Sequence, residues 1–277
     1  MIHFLRIFSV WFLLAASSFL AHSKETGTIH GIRARGTLVV AMRKEDDPPF
    51  SMKDSQGKPT GVDILIAKEI AHYLKVKVKI LRSAITYDAV VDQVVKGEAD
   101  IAISNLSISL DRAGKVNFSK PYVALKKAML FNQKTFMHLK KREKDSLESI
   151  FQRGNKIGVL RGSAYAEFSK SEFPKADHVL YDNWFRLIND LNKGRIAGAF
   201  WDQFEIEKII LLHHRGPLHY MAVVMDASED KVAMVLPKHD LHFQNWINTF
   251  LEIRVQRMDS NDLLRFYMNH LKKKKRV

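Results

Sequence analysis

Short apolar segments alternate along this chain with segments whose apolar residues recur at helical spacing, and this alternation constrains the fold more than any other feature. Thr37-Leu38-Val39-Val40-Ala41-Met42 reads as a buried strand, which Pro48-Pro49-Phe50 breaks into a loop. Gly61-Val62-Asp63 opens a helix in which Ile64, Ala67, Ile70, Ala71 and Leu74 share a side, while Lys68, Glu69 and His72 fall mostly on the other. Residues 76–81 alternate as a half-buried strand, a helix over 87–96 stops at Gly97, and 100–104 returns as a strand. After the apolar run 128–131 comes a charged stretch, 140–145, where a boundary is expected. The alternation then restarts: strand 156–160, a Gly162-Ser163 turn and helix, strand 178–181, helix 184–193, strand 196–201. Residues 232–236 read as a further strand, followed by helices over 241–257 and 261–271. Such alternation predicts largely parallel sheets covered on both faces, in two α/β units.

The first residues carry Arg6, an apolar stretch over 7–20, and small residues at Ala21 and Ser23 before Lys24. That layout predicts a secretory signal over 1–23 that is removed ahead of Lys24. The sequence has no cysteine, so an exported chain forms no disulfide and offers no thiol for lipid attachment. A formal charge of +14 is compatible with nucleic acid or anionic membrane. However, the basic residues are scattered, an export signal separates the chain from nucleic acid, and the dense run Lys272-Lys273-Lys274-Lys275-Arg276 reads as a solvated tail.

The most informative local run is Gly97-Glu98-Ala99-Asp100-Ile101-Ala102-Ile103-Ser104-Asn105-Leu106-Ser107-Ile108-Ser109-Leu110-Asp111-Arg112, closed by Asn117-Phe118-Ser119-Lys120-Pro121-Tyr122. A strand ends in a turn rich in hydroxyls and amides, and one arginine follows. A guanidinium is always charged, and its planar fork meets a carboxylate with two parallel hydrogen bonds, so the layout suits an anion site.

From about residue 36 to 271 the chain resembles the extracytoplasmic solute-binding proteins of the polar amino-acid family (family 3, with the type II periplasmic binding protein fold), receptors of ABC importers. The resemblance implies two α/β lobes joined by a two-strand hinge, with the ligand in the cleft between them. It implies lobe 1 over 24–124 and 231–277, lobe 2 over 125–230, and a soluble periplasmic monomer without a lipid anchor. Arg112 matches the arginine that grips the ligand's α-carboxylate and Ser107 the hydroxyl that assists it, while Ser104 and Asn105 match positions facing the ligand. Tyr87 matches an aromatic ring laid against it. Asp202, in Gly198-Ala199-Phe200-Trp201-Asp202, matches the acid that takes the α-amino group. Leu160, Ser163 and Ala164 lie in the segment that matches the closing loop. Read without the family, Asp202 equally caps a helix beginning at Gln203, Tyr87 equally belongs to a core, and Ser107 and Ser163 equally satisfy turns.

The chain also departs from the family pattern. Where the family places an acid and then a second aromatic clamp, the chain has Arg43-Lys44-Glu45-Asp46-Asp47-Pro48-Pro49. Val62, Leu65 and Ala164 replace a larger apolar residue, an acid and a hydroxyl, so side-chain specificity stays open. The implied partners are an amino acid or related zwitterion and a membrane permease, with no cofactor. No phosphate loop, metalloprotease helix or nucleophile elbow is present. His213, His214 and His219, and the pair His239 and His242, lack the ordered carboxylates of a metal site. A non-enzymatic receptor is the leading expectation. The rival is an enzyme on the same fold, such as a cyclohexadienyl dehydratase, with Glu45, Asp46, Asp47 or Glu167 as general acid.

Overall fold

The computed structural model describes residues 28–140, 146–152, 154–213 and 216–274. The leader read over 1–23, residues 141–145 of the charged stretch, His214 and the end of the basic run lie outside them. Among the described residues twelve strands are formed: β1 (Thr37–Arg43), β2 (Met52–Lys53), β3 (Pro59–Thr60), β4 (Lys77–Ala84), β5 (Ile101–Ala102), β6 (Asn117–Phe118), β7 (Val123–Asn132), β8 (Lys156–Leu160), β9 (Asp177–Tyr181), β10 (Gly198–Asp202), β11 (Tyr220–Val232) and β12 (Val235–Leu236). They build two five-stranded sheets, ordered β4-β1-β5-β12-β6 and β11-β7-β10-β8-β9, plus the small pair β2-β3.

In the first sheet β1 runs parallel to β4 and β5, as strand-helix-strand crossovers require. The helix Val62–Leu74 supplies one crossover, and Ile64, Ala67, Ile70, Ala71 and Leu74 are all buried, at no more than 2% exposure. They pack in one core with Leu38 and Val40 of β1, Ile101 of β5, and Phe243 and Ile247 of the helix Leu241–Arg254. Gly61, just ahead of the first helix, has φ 122°, and a Cβ there would lie 2.3 Å from the Phe50 carbonyl oxygen. Only glycine admits so close an approach of two backbones.

The second sheet repeats the logic, with β8 parallel to β9 and β10. Leu187 and Leu191 of the helix Trp184–Asn192 join Ile157, Val159, Ala199 and Phe200 in its core. Asn183 caps that helix through the Arg186 amide.

Two long strands carry the chain between the sheets. β7 leaves the first sheet after β6, and β11 returns to it, pairing antiparallel with β7 and continuing into β12. A register shift between Met225 and Glu229 bends β11. Sequence periodicity does not reveal β11, and it merges the end of β11 with β12 into one expected strand over 232–236. The strand expected over 100–104 pairs only at Ile101–Ala102, because beyond them the chain turns into the Ser104–Ser109 loop. The helix Thr28–Arg35 was not visible in the pattern. Among the described residues no helix is long and apolar enough to cross a membrane.

Candidate functional site

The wall contributed by the first sheet begins where β1 ends. Arg43 lays its guanidinium 4.5 Å from the centre of the Tyr87 ring and donates from Nη1 to the Tyr87 hydroxyl at 3.1 Å. The hydroxyl in turn donates to Asp47 Oδ2 at 3.1 Å. A stacked cation therefore covers the face of Tyr87 in this loop, where the family pattern calls for an aromatic. Tyr87 opens the helix Tyr87–Val95, whose cap is Thr86 Oγ1 accepting from the Ala89 amide.

Past β5, Ser104 Oγ accepts from the Arg43 amide at 3.0 Å. Asn105 has φ 49°, a conformation asparagine tolerates better than most residues. Its amide donates to Asp63 Oδ2 at 2.9 Å and its Nδ2 to Asp47 Oδ2 at 3.4 Å. Asp63 is fully enclosed and also accepts from the Tyr122 hydroxyl at 2.7 Å. Burial pushes its carboxyl up to about 7 against those two donors.

Arg112 is 4% exposed. Its Nε and Nη2 donate to Asp88 Oδ1 at 3.0 and 2.9 Å, and its Nη1 donates to the Ser107 carbonyl at 3.0 Å. These bonds occupy three of the five N–H donors a guanidinium carries.

The opposing wall comes from the second sheet. At the end of β8, Leu160 accepts from Ser163 Oγ at 2.7 Å, so the Ser163 hydroxyl closes its own turn. Ala164 begins the helix Ala164–Glu172, and Tyr165 stacks on Trp201 with ring centres 4.6 Å apart. Trp201 lies 6.0 Å from Tyr87, bringing rings from both walls together. Asp202 ends β10 and caps the helix Gln203–Leu212, accepting from the Glu205 amide at 2.8 Å. Burial raises its carboxyl well above the usual range, and neighbouring Glu205 adds to the effect.

The walls touch directly. The Asp88 amide donates to the Gly162 carbonyl at 3.0 Å, the Leu110 amide to Glu167 at 3.2 Å, and Lys208 Nζ to the Pro48 carbonyl at 2.8 Å. Between them Tyr87, Asn105, Ser107 and Arg112 on one side, and Ser163, Ala164 and Asp202 on the other, line one narrow gap of about 10 Å³, about the room one water needs. Arg112, Ser163 and Ala164 also border an adjoining surface depression of about 240 Å³. Ser104 and Leu160 stand behind this wall rather than on it.

Sequence reasoning missed three residues here. Asp230, from the hinge strand β11, lines the cavity and accepts from the Ser107 hydroxyl at 3.0 Å and the Tyr165 hydroxyl at 2.9 Å. Tyr165 and Trp201 form its aromatic wall. Of the acids weighed for an enzyme, Glu45 and Asp46 are solvent-facing, Glu167 holds the Leu110 amide, and only Asp47 is buried. Among the described residues no group of three or more His, Asp or Glu side chains is placed to hold a metal ion.

Comparison with known proteins matches residues 38–270 to the family model of bacterial extracellular solute-binding proteins, family 3. The L-cystine-binding protein TcyJ of Escherichia coli is 27% identical over 192 residues, covering 69% of this chain and 68% of that protein. The histidine-binding periplasmic protein of Escherichia coli is 26% identical over 196 residues, 69% of each chain. Among solved structures, the amino acid transporter substrate-binding protein AbpA of Streptococcus pneumoniae, bound to L-arginine, superposes with a TM-score of 0.67 at 23% identity, covering 88% of this chain and 98% of that one. An ancestral amino acid-binding protein, described as a precursor of cyclohexadienyl dehydratase, gives 0.65 at 24%, with the same coverage. These structural likenesses establish the fold: two α/β lobes about a cleft.

Proposed function

Because this chain belongs to the bacterial extracellular solute-binding proteins of family 3, we propose that it captures an amino acid outside the cytoplasm and delivers it to an ABC-type permease. One observation supports the reading: a buried guanidinium and a buried carboxyl, Arg112 and Asp202, border the same gap from opposite lobes. A zwitterion taken out of water needs an opposite charge at each end, and a cleft that meets both ends only when shut couples binding to closure. The ligand's α-carboxylate takes the two N–H donors of Arg112 not used within the protein, and its α-amino group takes Asp202. Tyr87 and Trp201 flank the ligand, with Ser107, Asn105, Ser163 and Ala164 lining its space and Ser104 and Leu160 holding the loops behind them. The lobes are residues 24–124 with 231–277, and 125–230. Residues 1–23 are a cleaved leader, which places the mature protein in the periplasm.

Thermal unfolding of the mature protein against a panel of amino acids tests this. A ligand at a hundred times its dissociation constant stabilises the fold by about 2.7 kcal/mol, and Arg112→Ala abolishes that gain. If no amino acid raises the melting temperature, the reading is wrong. The protein is a receptor and not an enzyme. Incubation with prephenate or arogenate leaves both unchanged, and turnover of either would overturn that part.

A further inference from the structure

Asp230 is the one acid at the cavity whose chemistry the reading above leaves unused. It is 2% exposed, and its Oδ2 is saturated by one hydroxyl from each lobe, Ser107 and Tyr165. Its Oδ1 is fully buried and has no hydrogen-bond partner among the described residues. A buried carboxylate oxygen without a partner is costly, and proteins retain one where something else supplies the missing bond. The nearby cations do not supply it. Lys127 Nζ is held by Glu172 at 2.8 Å and lies over the Phe168 ring, and Arg112 is turned to Asp88 and the Ser107 carbonyl.

Charge matching then constrains the ligand. The cavity is lined by one guanidinium and two acids, Arg112 against Asp202 and Asp230, whose carboxyls burial pushes up and an ammonium partner brings back down. A neutral zwitterion satisfies Arg112 with its carboxylate and Asp202 with its ammonium, and leaves Asp230 unmatched. A ligand with a second ammonium satisfies all three. Both acids border the same gap, and Asp230 lies close enough to push the Asp202 carboxyl up further, so two ammonium groups held by them lie close together. Tyr165 and Trp201, stacked on one another, close the apolar side of the same gap.

We infer that Asp230 is a specificity-determining residue that binds the second ammonium group of a short diamino acid, a ligand class such as 2,4-diaminobutyrate or ornithine. The inference rests on the amino-acid receptor reading. It assigns the choice of ligand to a hinge-strand residue that contacts both lobes, so the cation also reinforces closure.

Calorimetry on the mature protein tests it, with 2,3-diaminopropionate, 2,4-diaminobutyrate, ornithine, alanine, glutamine and glutamate, on the wild type and Asp230→Asn. The asparagine keeps an oxygen to accept from Ser107 and Tyr165 and removes the charge. At least one diamino acid is expected to bind tenfold or more tighter than alanine, glutamine and glutamate, and Asp230→Asn is expected to erase that preference. Equal or tighter binding of the neutral or acidic amino acids, or a preference that survives Asp230→Asn, overturns this inference and leaves the receptor reading standing. Binding of no amino acid at all overturns both. Should Asp230→Asn fail to fold, Asp230→Glu replaces it: the charge stays but moves by one methylene, and an unchanged order of preference among the three diamino acids overturns the inference.

Discussion

Asp88 and Arg112 form a buried-to-exposed pair in which two guanidinium nitrogens, Nε and Nη2, donate to the same carboxylate oxygen at 3.0 and 2.9 Å. The Asp88 side chain is 50% exposed and that of Arg112 5%. Asp88 therefore orients the guanidinium from the solvent side and competes electrostatically with a ligand carboxylate on the other. Arg112→Ala removes the ligand's anionic partner and is expected to weaken amino-acid binding by thirtyfold or more, equivalent to roughly 2–5 kcal/mol. Asp88→Asn keeps an acceptor and removes the competing charge. Because the pair is half in water, the gain is small, roughly two- to fivefold tighter binding. Calorimetric titration of both variants checks the pair of signs, and weaker binding by Asp88→Asn would show that Asp88 acts only to hold the arginine in place.

Gly162 meets Thr86 across the cleft. It has φ 66°, and a Cβ built on it would lie 2.8 Å from the Thr86 Cβ. Alanine there carries the strain of a left-handed backbone, about 1 kcal/mol, in every state, and clashes with Thr86 only when the lobes are shut. Gly162→Ala is therefore expected to lower the ligand-free melting temperature modestly, weaken binding tenfold or more, and keep the protein extended under saturating ligand. Small-angle scattering with and without ligand measures the last effect. Affinity within twofold of wild type would show that the contact does not govern closure.

The parts of this site that were legible in the sequence are those whose geometry is local. Ser107 and Arg112 sit on one turn after one strand, and the helix Tyr87–Val95 with its Thr86 cap places Tyr87 at a fixed distance before β5. Asp202 was legible because a strand ends and a helix begins there, which also explains why capping and ligand binding could not be separated by pattern alone. Asp230 was not legible. It meets Ser107 across 123 positions and lies just past the register shift of β11, a strand without alternating apolarity. Trp201 was legible only as the end of a strand and Tyr165 not singled out at all, and it is the packing of the strand β10 against the helix Ala164–Glu172 that brings the two rings together beside the cavity. The replacement of an aromatic clamp by Arg43 over Tyr87 was visible as a departure from the family, but its geometry depends on the loop that Asp47 and Ser51 close.

Asp202 can be asked which of its two roles matters. Serine also caps helices, so Asp202→Ser keeps a hydrogen bond to the Glu205 amide while removing the charge. Removing a carboxylate that burial disfavours offsets any weakening of the cap, so stability is expected to stay within about 1 kcal/mol of wild type. Ligand binding is expected to fall thirtyfold or more. Chemical denaturation paired with titration separates the two, and retained binding in a stable Asp202→Ser protein would reduce Asp202 to a helix cap.

Asp63 sets a pH dependence whose sign follows from its burial. Its carboxyl titrates near 7 when folded, against 3.8 in the ordinary state, so the folded protein holds a proton that the unfolded chain releases. Stability from this group is complete below about pH 4, declines as pH rises, and is lost once pH passes about 7, a total of about 4 kcal/mol. Asp202, Asp230 and Glu205, all raised by burial, change stability in the same direction. Asp63→Asn has no proton to lose. Its amide oxygen still accepts from one of the two donors, the Tyr122 hydroxyl and the Asn105 amide, and the other is left without its acceptor, so at pH 5 it is expected to be less stable than wild type by about 1–2 kcal/mol. Wild-type stability then falls toward pH 8 while the variant falls less, and the two curves converge or cross. Denaturant unfolding of both proteins from pH 4 to pH 8 measures this, and parallel curves would show that Asp63 is ionised in the folded state throughout.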